Sequence, residues 1–261
     1  MQKNILITGC SSGIGLISAL DLNQRGYRII AGCRKPDDLV RLNALGLTAI
    51  QIDMDDPASI EQAIENVHTL TEGKLFALFN NAGYGQYGPL TTISRQQMER
   101  QFSTNFFGVH QLTLGLLPLL RANGTARIVN TSSVMGFIAT PGRGAYAASK
   151  YALEAWTDTL RMELANEPIY VSLLEPGPIT TAFSSNVHQG DDANPVENPG
   201  IAARFALPPE ALLPKIRHAL ESRSPQHRYP VTLVTHAMAI AKRLLPSCLM
   251  DMILNNRTKK S

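Results

Sequence analysis

Short apolar runs alternate with longer amphipathic stretches along this chain of 261 residues. Most of these runs are nearly continuously apolar, which is typical of strands that are buried on both faces of a parallel sheet. The pattern predicts strands at residues 4–8, 27–33, 48–52, 75–80, 127–131 and 169–174, with a weaker one at 228–231.

The stretches between the runs carry residues that start and end helices. Pro57 and Pro208 occupy first-turn positions, where proline is favoured, and Gly26 and Gly46 follow the last turn of two stretches. The pattern predicts helices at residues 14–25, 36–45, 57–71, 94–120, 145–167 and 208–223.

The alternation of strands and helices predicts a three-layer α/β fold. A doubly wound parallel sheet of about seven strands would be covered by helices on both faces, as in Rossmann-like domains. The sequence has no internal repeat, low-complexity tract or Pro/Gly-rich linker that would divide it. We therefore predict a single domain over residues 1–261.

Composition narrows the functional classes. Hydrophobic residues make up 44% and charged residues 17% of the chain, which are ordinary proportions for a globular protein. The net charge is only +3 and the 24 lysines and arginines look scattered, which argues against nucleic acid as the main partner. The six histidines show no metal-binding spacing, so no metal site is predicted.

The cysteines and the apolar runs bear on localisation. Cys10, Cys33 and Cys248 include no CxxC pair, which suits a reducing compartment and predicts neither a disulfide framework nor a zinc site. The sequence shows no signal-peptide pattern and no apolar run near the ~18 residues that span a bilayer. We expect a soluble, cytoplasmic protein without stable membrane insertion.

A glycine-rich segment, Thr8-Gly9-Cys10-Ser11-Ser12-Gly13-Ile14-Gly15, joins the first predicted strand to the first predicted helix. Glycines here allow a tight turn and let the backbone approach a pyrophosphate, which N–H groups at the helix N-terminus can bind. The spacing differs from GxGxxG and has no P-loop lysine, which argues against a nucleotide triphosphatase. The predicted cofactor-binding residues of this loop are Gly9, Ser11, Ser12, Gly13, Ile14 and Gly15.

Tyr146 and Lys150 lie four residues apart in the most helix-like stretch, so they share one face of the predicted helix. A phenol with its usual pKa of about 10 is a poor acid at neutral pH. A neighbouring ammonium can lower that pKa by roughly 1–3 units. The pair is therefore a candidate proton donor, although a tyrosine and a lysine at this spacing also occur on ordinary helices.

The spacing TGxxxGxG at residues 8–15 resembles the short-chain dehydrogenase/reductase family. Further motifs follow in the order of that family over nearly the whole chain. They are the NNAG element at residues 80–83, the helix asparagine Asn105, a serine 13 residues before the tyrosine at Ser133 (Ser132 in the alternative register), YxxxK at Tyr146 and Lys150, and the PG element at residues 176–181.

The resemblance implies a catalytic set of Tyr146, Lys150, Ser133 and Asn105. Tyr146 would donate its proton to a carbonyl oxygen while a nicotinamide cofactor donates hydride, and Ser133 would hold that oxygen. Lys150 would lower the pKa of Tyr146 and bind the nicotinamide ribose. Asn105 would bind a water molecule that links Lys150 to solvent, or it is a structural residue of a bent helix.

The end of the second predicted strand indicates the cofactor. An acidic residue there binds the ribose 2′-hydroxyl of NAD, whereas an arginine accommodates the 2′-phosphate of NADP. Cys33 takes the acidic position and Arg34 follows it, so we predict NADP(H). The alternative is that Asp37 or Asp38 folds back to serve NAD. The resemblance adds the cofactor-binding positions Asp53, Met54, Asn81, Gly83, Ile179 and Thr181, together with Tyr146 and Lys150.

Substrate contacts are expected from a long segment at residues 182–207, which is rich in Pro, Asn and Gly. Loops of this length in a domain are usually functional, so we predict a substrate loop. A mostly apolar pocket would be lined by Tyr84, Tyr87, Val134, Met135, Phe137, Phe183 and Phe205.

The C-terminal extension, residues 228–261, resembles the retinol and 17β-hydroxysteroid dehydrogenase branch of the family, and bacterial NADP-dependent aldehyde reductases of that branch. Its amphipathic run at 231–254 is expected to pack over the pocket, with contact to a membrane surface as the alternative. The resemblance implies NADPH-dependent reduction of a lipophilic aldehyde or ketone by a homodimer or homotetramer. A 3-oxoacyl thioester reductase and a nucleotide-sensing regulator are the alternatives.

Overall fold

The computed structural model describes residues 2–181, 188–189 and 205–255. Its central sheet consists of seven parallel strands, β1 (Asn4–Thr8), β2 (Arg28–Cys33), β3 (Thr48–Gln51), β4 (Ala77–Asn80), β6 (Ala126–Thr131), β7 (Ile169–Glu175) and β9 (Arg228–Pro230). Their order is β3-β2-β1-β4-β6-β7-β9. Two short strands, β5 (Gln86–Tyr87) and β8 (His188–Gln189), form a separate parallel pair that the sequence did not predict.

The described helices are α1 (Gly13–Gln24), α2 (Pro36–Ala44), α3 (Pro57–Leu70), α4 (Arg95–Phe102), α5 (Gly108–Ala122), α6 (Gly144–Glu163), α7 (Leu213–Glu221), α8 (Leu233–Leu244) and α9 (Ser247–Leu254). The helix predicted at 94–120 is interrupted by a π-helical turn, Ser103–Phe107, between α4 and α5. The apolar run near the C-terminus forms the two helices α8 and α9. Among the described helices, none combines the length and the apolar content needed to cross a membrane.

Local sequence explains where several helices begin and end. Asp56 accepts a hydrogen bond from the first turn of α3, and Ser94 forms a capping box with Gln97 at the start of α4. Both arrangements satisfy N–H groups that a helix leaves unpaired. Gly26 and Gly46 follow α1 and α2 with φ angles of 89° and 79°, a conformation that glycine adopts without strain.

Side chains alternate along the strands between two apolar layers. In β1, Ile5 and Ile7 pack in the layer that includes α1 and α7, whereas Leu6 packs in the layer that includes α3, α5 and α6. The period of two is the one that a strand imposes. Because helices bury both faces of the sheet, the predicted three-layer α/β architecture is confirmed.

A buried polar network fixes the carboxyl ends of β4 and β6. Asn80 Nδ2 donates to Asn130 Oδ1 at 2.8 Å and to Thr113 Oγ1 at 3.0 Å. Asn130 Nδ2 in turn donates to Thr157 Oγ1 at 2.9 Å. The two strands are thereby tied to α5 and α6, and buried networks of this kind rigidify the elements that they join.

Candidate active site

The winding of the sheet reverses at β1, whose two neighbours are β2 and β4. The connections after β1 and β4 therefore diverge and leave a crevice at the carboxyl ends of these strands, where open α/β sheets bind ligands. The glycine-rich loop follows β1, and residues 81–83 follow β4. The fold thus brings two segments that the sequence singled out to the edges of one crevice.

The glycine-rich loop lies tightly against the segment after β4. Gly9 and Gly13 have φ angles of 72° and 56°, and a Cβ on Gly9 would lie 2.8 Å from the Cα of Ala82. A Cβ on Gly15 would overlap the carbonyl oxygen of Gly9. Glycine is therefore required at Gly9 for backbone conformation and for space, and at Gly15 for space.

Hydrogen bonds from Thr8 and Asn81 hold this arrangement. Thr8 Oγ1 accepts from the N–H groups of Asn81 and Ala82 at 3.0 and 2.9 Å, and Asn81 Nδ2 donates to the Thr8 carbonyl oxygen at 3.0 Å. Helix α1 begins at Gly13, and within the described chain the Ser12 side chain does not cap it. The first-turn N–H groups can therefore serve an anion, so this cradle fits the pyrophosphate of a dinucleotide.

Three of the predicted catalytic side chains meet where β6 ends and α6 begins. Tyr146 and Lys150 are both buried on α6. Lys150 Nζ donates to the Thr131 carbonyl oxygen at 2.7 Å and lies 5.8 Å from the centroid of the Tyr146 ring. Ser133 follows β6, accepts from the Met135 N–H at 3.1 Å and is hydrogen-bonded to Tyr146. The geometry therefore favours Ser133 in the register that the sequence left open.

Burial sets the pKa values of these groups. Burial and the neighbouring Tyr87 raise the pKa of Tyr146 above its usual range, and a hydrogen bond with Ser133 lowers it less. Burial also lowers the pKa of Lys150 to about 8, while Glu154 opposes that shift. The sequence predicted that Lys150 lowers the pKa of Tyr146. This geometry gives the opposite direction, because desolvation of the buried phenol outweighs the nearby charges.

Asn105 lies buried in the π-helical turn. Its Oδ1 accepts from the Tyr84 N–H at 3.1 Å, and its Nδ2 donates to the Tyr84 carbonyl oxygen at 3.0 Å and to Ser149 Oγ at 3.1 Å. A Cβ on Gly83 would lie 3.1 Å from Asn105 Oδ1 and 3.7 Å from Lys150 Nζ. Asn105 thus joins the bent helix to the segment after β4 and to α6, and π turns often occur at functional sites. Its water-binding role stays a prediction.

The residues predicted to select the cofactor lie at the end of β2 and in α2. Cys33 is buried, and burial raises the pKa of its thiol to about 11. Arg34 follows it and is exposed. Asp38 binds Arg41 at 2.8 Å, and Arg41 also donates to the Ser11 carbonyl oxygen of the glycine-rich loop. Sequence reasoning missed Arg41, for which the three-residue spacing from Asp38 on a helix was the available signal.

The remaining predicted cofactor positions flank the same crevice. Asp53 follows β3, where its carboxylate accepts from a backbone N–H two residues further on, and the adjoining Met54 is buried. Ile179 forms an isolated bridge with the segment before α7. Thr181 lies against the glycine-rich loop, since a Cβ on Gly13 would be 3.3 Å from the Thr181 Cβ.

An apolar cluster surrounds Tyr146. Val134, Met135 and Phe137 belong to it as predicted, and the centroid of the Tyr87 ring is 6.0 Å from that of Tyr146. The C-terminal helices add residues that the sequence did not single out, namely Met238, Ala241, Leu245, Met250 and Leu254. The helical period of the apolar residues at 231–254 was the sequence feature from which these contacts could have been predicted. The expected packing of this run over the pocket agrees with these contacts.

Two predicted pocket residues, Tyr84 and Phe205, lie elsewhere. Tyr84 is held beside Asn105, and burial raises the pKa of its hydroxyl to about 12. Phe205 is exposed, so the prediction that it lines the pocket is wrong for this conformation. Phe183 and most of residues 182–207 lie outside the described residues.

Comparison with known proteins identifies the family. The family model for short chain dehydrogenases matches residues 3–192. The chain belongs to the short-chain dehydrogenase family. The chain is 63% identical to the uncharacterized oxidoreductase YbbO of Escherichia coli (strain K12). The match extends over 254 residues, which are 97% of this chain and 94% of that protein.

Two further similarities place this short-chain dehydrogenase among known proteins. Human retinol dehydrogenase 5 is 40% identical over 186 residues, which are 69% of this chain and 58% of that protein. The crystal structure of a short chain dehydrogenase from Burkholderia cenocepacia in complex with NADP has a TM-score of 0.80, covers 97% of this chain and 99% of its own, and is 24% identical. That structural likeness shows a shared fold.

Sequence reasoning missed one charged cluster of this short-chain dehydrogenase. Arg228 in β9 donates to Glu154 and Asp158 of α6 and, at 2.7 Å, to Glu175 of β7. Burial raises the pKa of Glu154 to about 7. Because Lys150, Glu154 and Asp158 follow each other at intervals of four on α6, they share a helix face, and that spacing was the available signal.

Proposed function

We propose that this oxidoreductase uses NADPH to reduce the carbonyl group of a lipophilic aldehyde or ketone to an alcohol. One observation carries the proposal. Tyr146, Lys150 and Ser133 form one buried group at the carboxyl end of β6, next to a glycine-rich loop that fits a dinucleotide pyrophosphate. Carbonyl reduction needs a proton donor and an oxygen-binding hydroxyl beside a hydride source, and this group has both side chains.

The protonation states suit reduction. NADPH, when bound, supplies the hydride. Because burial raises the pKa of Tyr146, the phenol is a weak acid that stays protonated at neutral pH, and it gives up its proton only to the more basic alkoxide oxygen that forms as hydride reaches the carbonyl carbon. Ser133 donates a hydrogen bond to the same oxygen as negative charge develops on it. Lys150, with a pKa of about 8, is mostly protonated at neutral pH and would hold the nicotinamide ribose.

Charge near the adenosine end of the crevice favours NADP(H) over NAD. Arg34 is exposed after β2, so its guanidinium group is available for a 2′-phosphate. Arg41 reaches the glycine-rich loop at Ser11 but is already paired with Asp38. The NAD alternative relied on Asp37 or Asp38. Asp38 is already paired with Arg41, which weakens that alternative.

The lining of the site supports a lipophilic substrate. Residues around Tyr146 are mostly apolar and come from the loop after β6 and from α8 and α9. Retinol, the substrate that the name of one relative states, is also lipophilic. We further propose that residues 182–207 form the substrate loop and that the chain is a single domain.

We also propose a cytoplasmic homodimer or homotetramer. Four large apolar side chains on the π-helical turn, α5 and α6 are exposed: Phe107, Leu114, Tyr151 and Met162. An exposed apolar surface on two long helices is typical of a subunit interface.

The test is a substrate panel with a matched pair of tyrosine variants. The purified chain is assayed with aldehydes, ketones, steroids and 3-oxoacyl thioesters, each with NADPH and NADH. We expect turnover of lipophilic aldehydes or ketones with NADPH, and its loss in Tyr146→Phe with NADPH binding retained. Tyr170→Phe, which changes an exposed tyrosine of β7, is the control and should remain active. Turnover in Tyr146→Phe would refute the assignment, and saturable activity on thioesters alone would favour the thioester reductase.

A further inference from the structure

The outer faces of α8 and α9 carry an apolar stripe. The inner faces pack on the cluster around Tyr146. On the outer side, six large apolar side chains are between 42 and 76% exposed. We call them the outer stripe: Leu233, Ile240, Leu244, Leu249, Met252 and Ile253. The first three follow at intervals of seven and four residues, which places them on one face of α8.

Two cations lie beside this stripe. Lys242 and Arg243 are exposed in the last turn of α8. Residues 233–261 contain five lysines and arginines and one acid, Asp251, hence a net charge of +4, whereas the whole chain carries +3. The rest of the chain is therefore slightly negative. This end of the chain thus carries a local excess of positive charge.

We propose that α8 and α9 dock this protein on an anionic lipid bilayer, with the outer stripe in the interfacial region and Lys242 and Arg243 at the lipid phosphates. An exposed apolar face flanked by cations is the pattern that binds such surfaces. The helices have 12 and 8 residues, too few to span a bilayer, so the binding is peripheral.

Charge also argues against a second copy of the chain as the occupant. A symmetric interface would bring the same patch of two subunits together. The interface would then contain Lys242 and Arg243 of both copies, with Asp251 of each copy as the only described acid of α8 and α9, and an excess of like charge at an interface opposes association. Anionic headgroups complement these cations.

The location of the stripe links docking to the proposed reaction. A cleft of about 290 Å³ lies between α6 and the two C-terminal helices, and its lining includes Ile138, Tyr151, Lys242 and Met250. Ile138 and Met250 also belong to the cluster around Tyr146. A lipophilic carbonyl compound could pass from the bilayer into this cleft. This delivery step rests on the proposed function, whereas docking itself does not.

Vesicle binding tests the proposal with the full chain. We expect co-sedimentation with phosphatidylcholine vesicles that contain phosphatidylglycerol, weak binding to phosphatidylcholine alone, and release by salt, because the cations act through screened charge. Ile240→Gln combined with Leu244→Gln should weaken binding by about tenfold or more, since two exposed apolar side chains are lost. Val40→Gln combined with Leu45→Gln removes two exposed apolar side chains elsewhere and should bind normally.

Two outcomes would overturn docking. Equal binding of both vesicle types, or of neither, contradicts the anionic lipid surface. A dimer in analytical ultracentrifugation that Ile240→Gln with Leu244→Gln converts to a monomer assigns the stripe to a second copy instead. Reduction of a short, water-soluble aldehyde should be unchanged in this double variant, because the stripe faces away from Tyr146. Absence of any carbonyl reduction in the unmodified chain would refute the proposed function and leave the vesicle result standing.

Discussion

Lys150 on α6 and Arg228 on β9 are two cations at the same helix, and their surroundings differ. Lys150 donates to a carbonyl oxygen, and in the described part of the chain it forms no ion pair. Arg228 meets three carboxylates, of which Glu154 and Glu175 are buried. Burial lowers the pKa of Lys150 to about 8, whereas the carboxylates raise the pKa of Arg228 above its usual range.

The difference indicates that Lys150 can change its protonation state near neutral pH, whereas Arg228 stays charged and has a structural role. A cation with few compensating charges has a perturbed pKa and responds to a bound ligand, which is characteristic of functional sites. A cation shared by several carboxylates stays charged and ties elements together. Arg228 thereby connects β9, and with it the C-terminal helices, to α6 and β7.

Glu154 links the two regions. It binds Arg228, and one helical turn away its charge opposes the fall in the pKa of Lys150. Its Oε1 and the nearby Ser132 Oγ have no hydrogen-bond partner among the described residues. Ser132 still lowers the pKa of Glu154, so the two groups are close without reaching hydrogen-bonding geometry. Burial and the neighbouring Glu175 nevertheless dominate and raise that pKa to about 7.

The largest expected effect comes from replacing Lys150, the cation without a described ion pair. Lys150→Met should lower kcat/KM by about 10²–10⁴-fold, the usual contribution of a group in the proton-transfer machinery. Its thermal stability should hold or rise, because a buried charge that burial disfavours is removed. Lys74→Met changes an exposed lysine and is the control for activity and for melting temperature. Unchanged turnover in Lys150→Met would show that Lys150 is not needed for the reaction.

The next largest effect is expected from replacing Arg228, the cation that binds three carboxylates. Arg228→Met leaves Glu154 and Glu175 buried without their counter-ion. We expect a loss of about 2–4 kcal/mol in the free energy of unfolding, somewhat below the 3–5 kcal/mol of a fully buried pair because Arg228 is partly exposed. The loss should be larger at pH 8 than at pH 5.5, where the carboxyl groups take up protons. Urea unfolding at both pH values measures it, and an equal loss at both would contradict the role of the carboxylates.

Glu154→Gln should change how stability depends on pH. The folded pKa of Glu154 is about 7, above the unfolded value of about 4.3, so between these values the folded chain binds more protons. The unmodified chain therefore loses stability as pH rises through this window, and the glutamine variant lacks that loss. The stability of the variant relative to the unmodified chain should rise by roughly 2–3 kcal/mol from pH 4.5 to pH 8. A pH-independent difference would show that Glu154 does not titrate there.

The sequence predicted the fold and most of the candidate site because both rest on local signals. Buried parallel strands are continuous apolar runs, and Gly9, Gly13 and Gly15 mark a loop that only glycine can form. The Tyr146–Lys150 pair follows from helical periodicity. These features depend on residues that are near each other in the chain.

The features that the sequence did not predict depend on distant packing. The π-helical turn is associated with Asn105, whose side chain bonds across to Tyr84 and Ser149. The Arg228 cluster joins residues 53 to 74 positions apart. The direction of the Tyr146 pKa shift depends on burial within the cluster to which α8 and α9 contribute, an environment that helical spacing alone does not reveal.

The smallest expected effect distinguishes the members of the Arg228 cluster from one another. The Asp158 side chain is 34% exposed and also pairs with Arg161, so water already compensates much of its charge. Asp158→Asn should cost less than about 1 kcal/mol in urea unfolding, as surface ion pairs do. If it instead costs as much as Arg228→Met, the three carboxylates act as one unit. The contribution of each carboxylate to stability would then not depend on how deeply that carboxylate is buried. Arg228 and Lys150 would in that case differ only in the number of carboxylates that surround each cation.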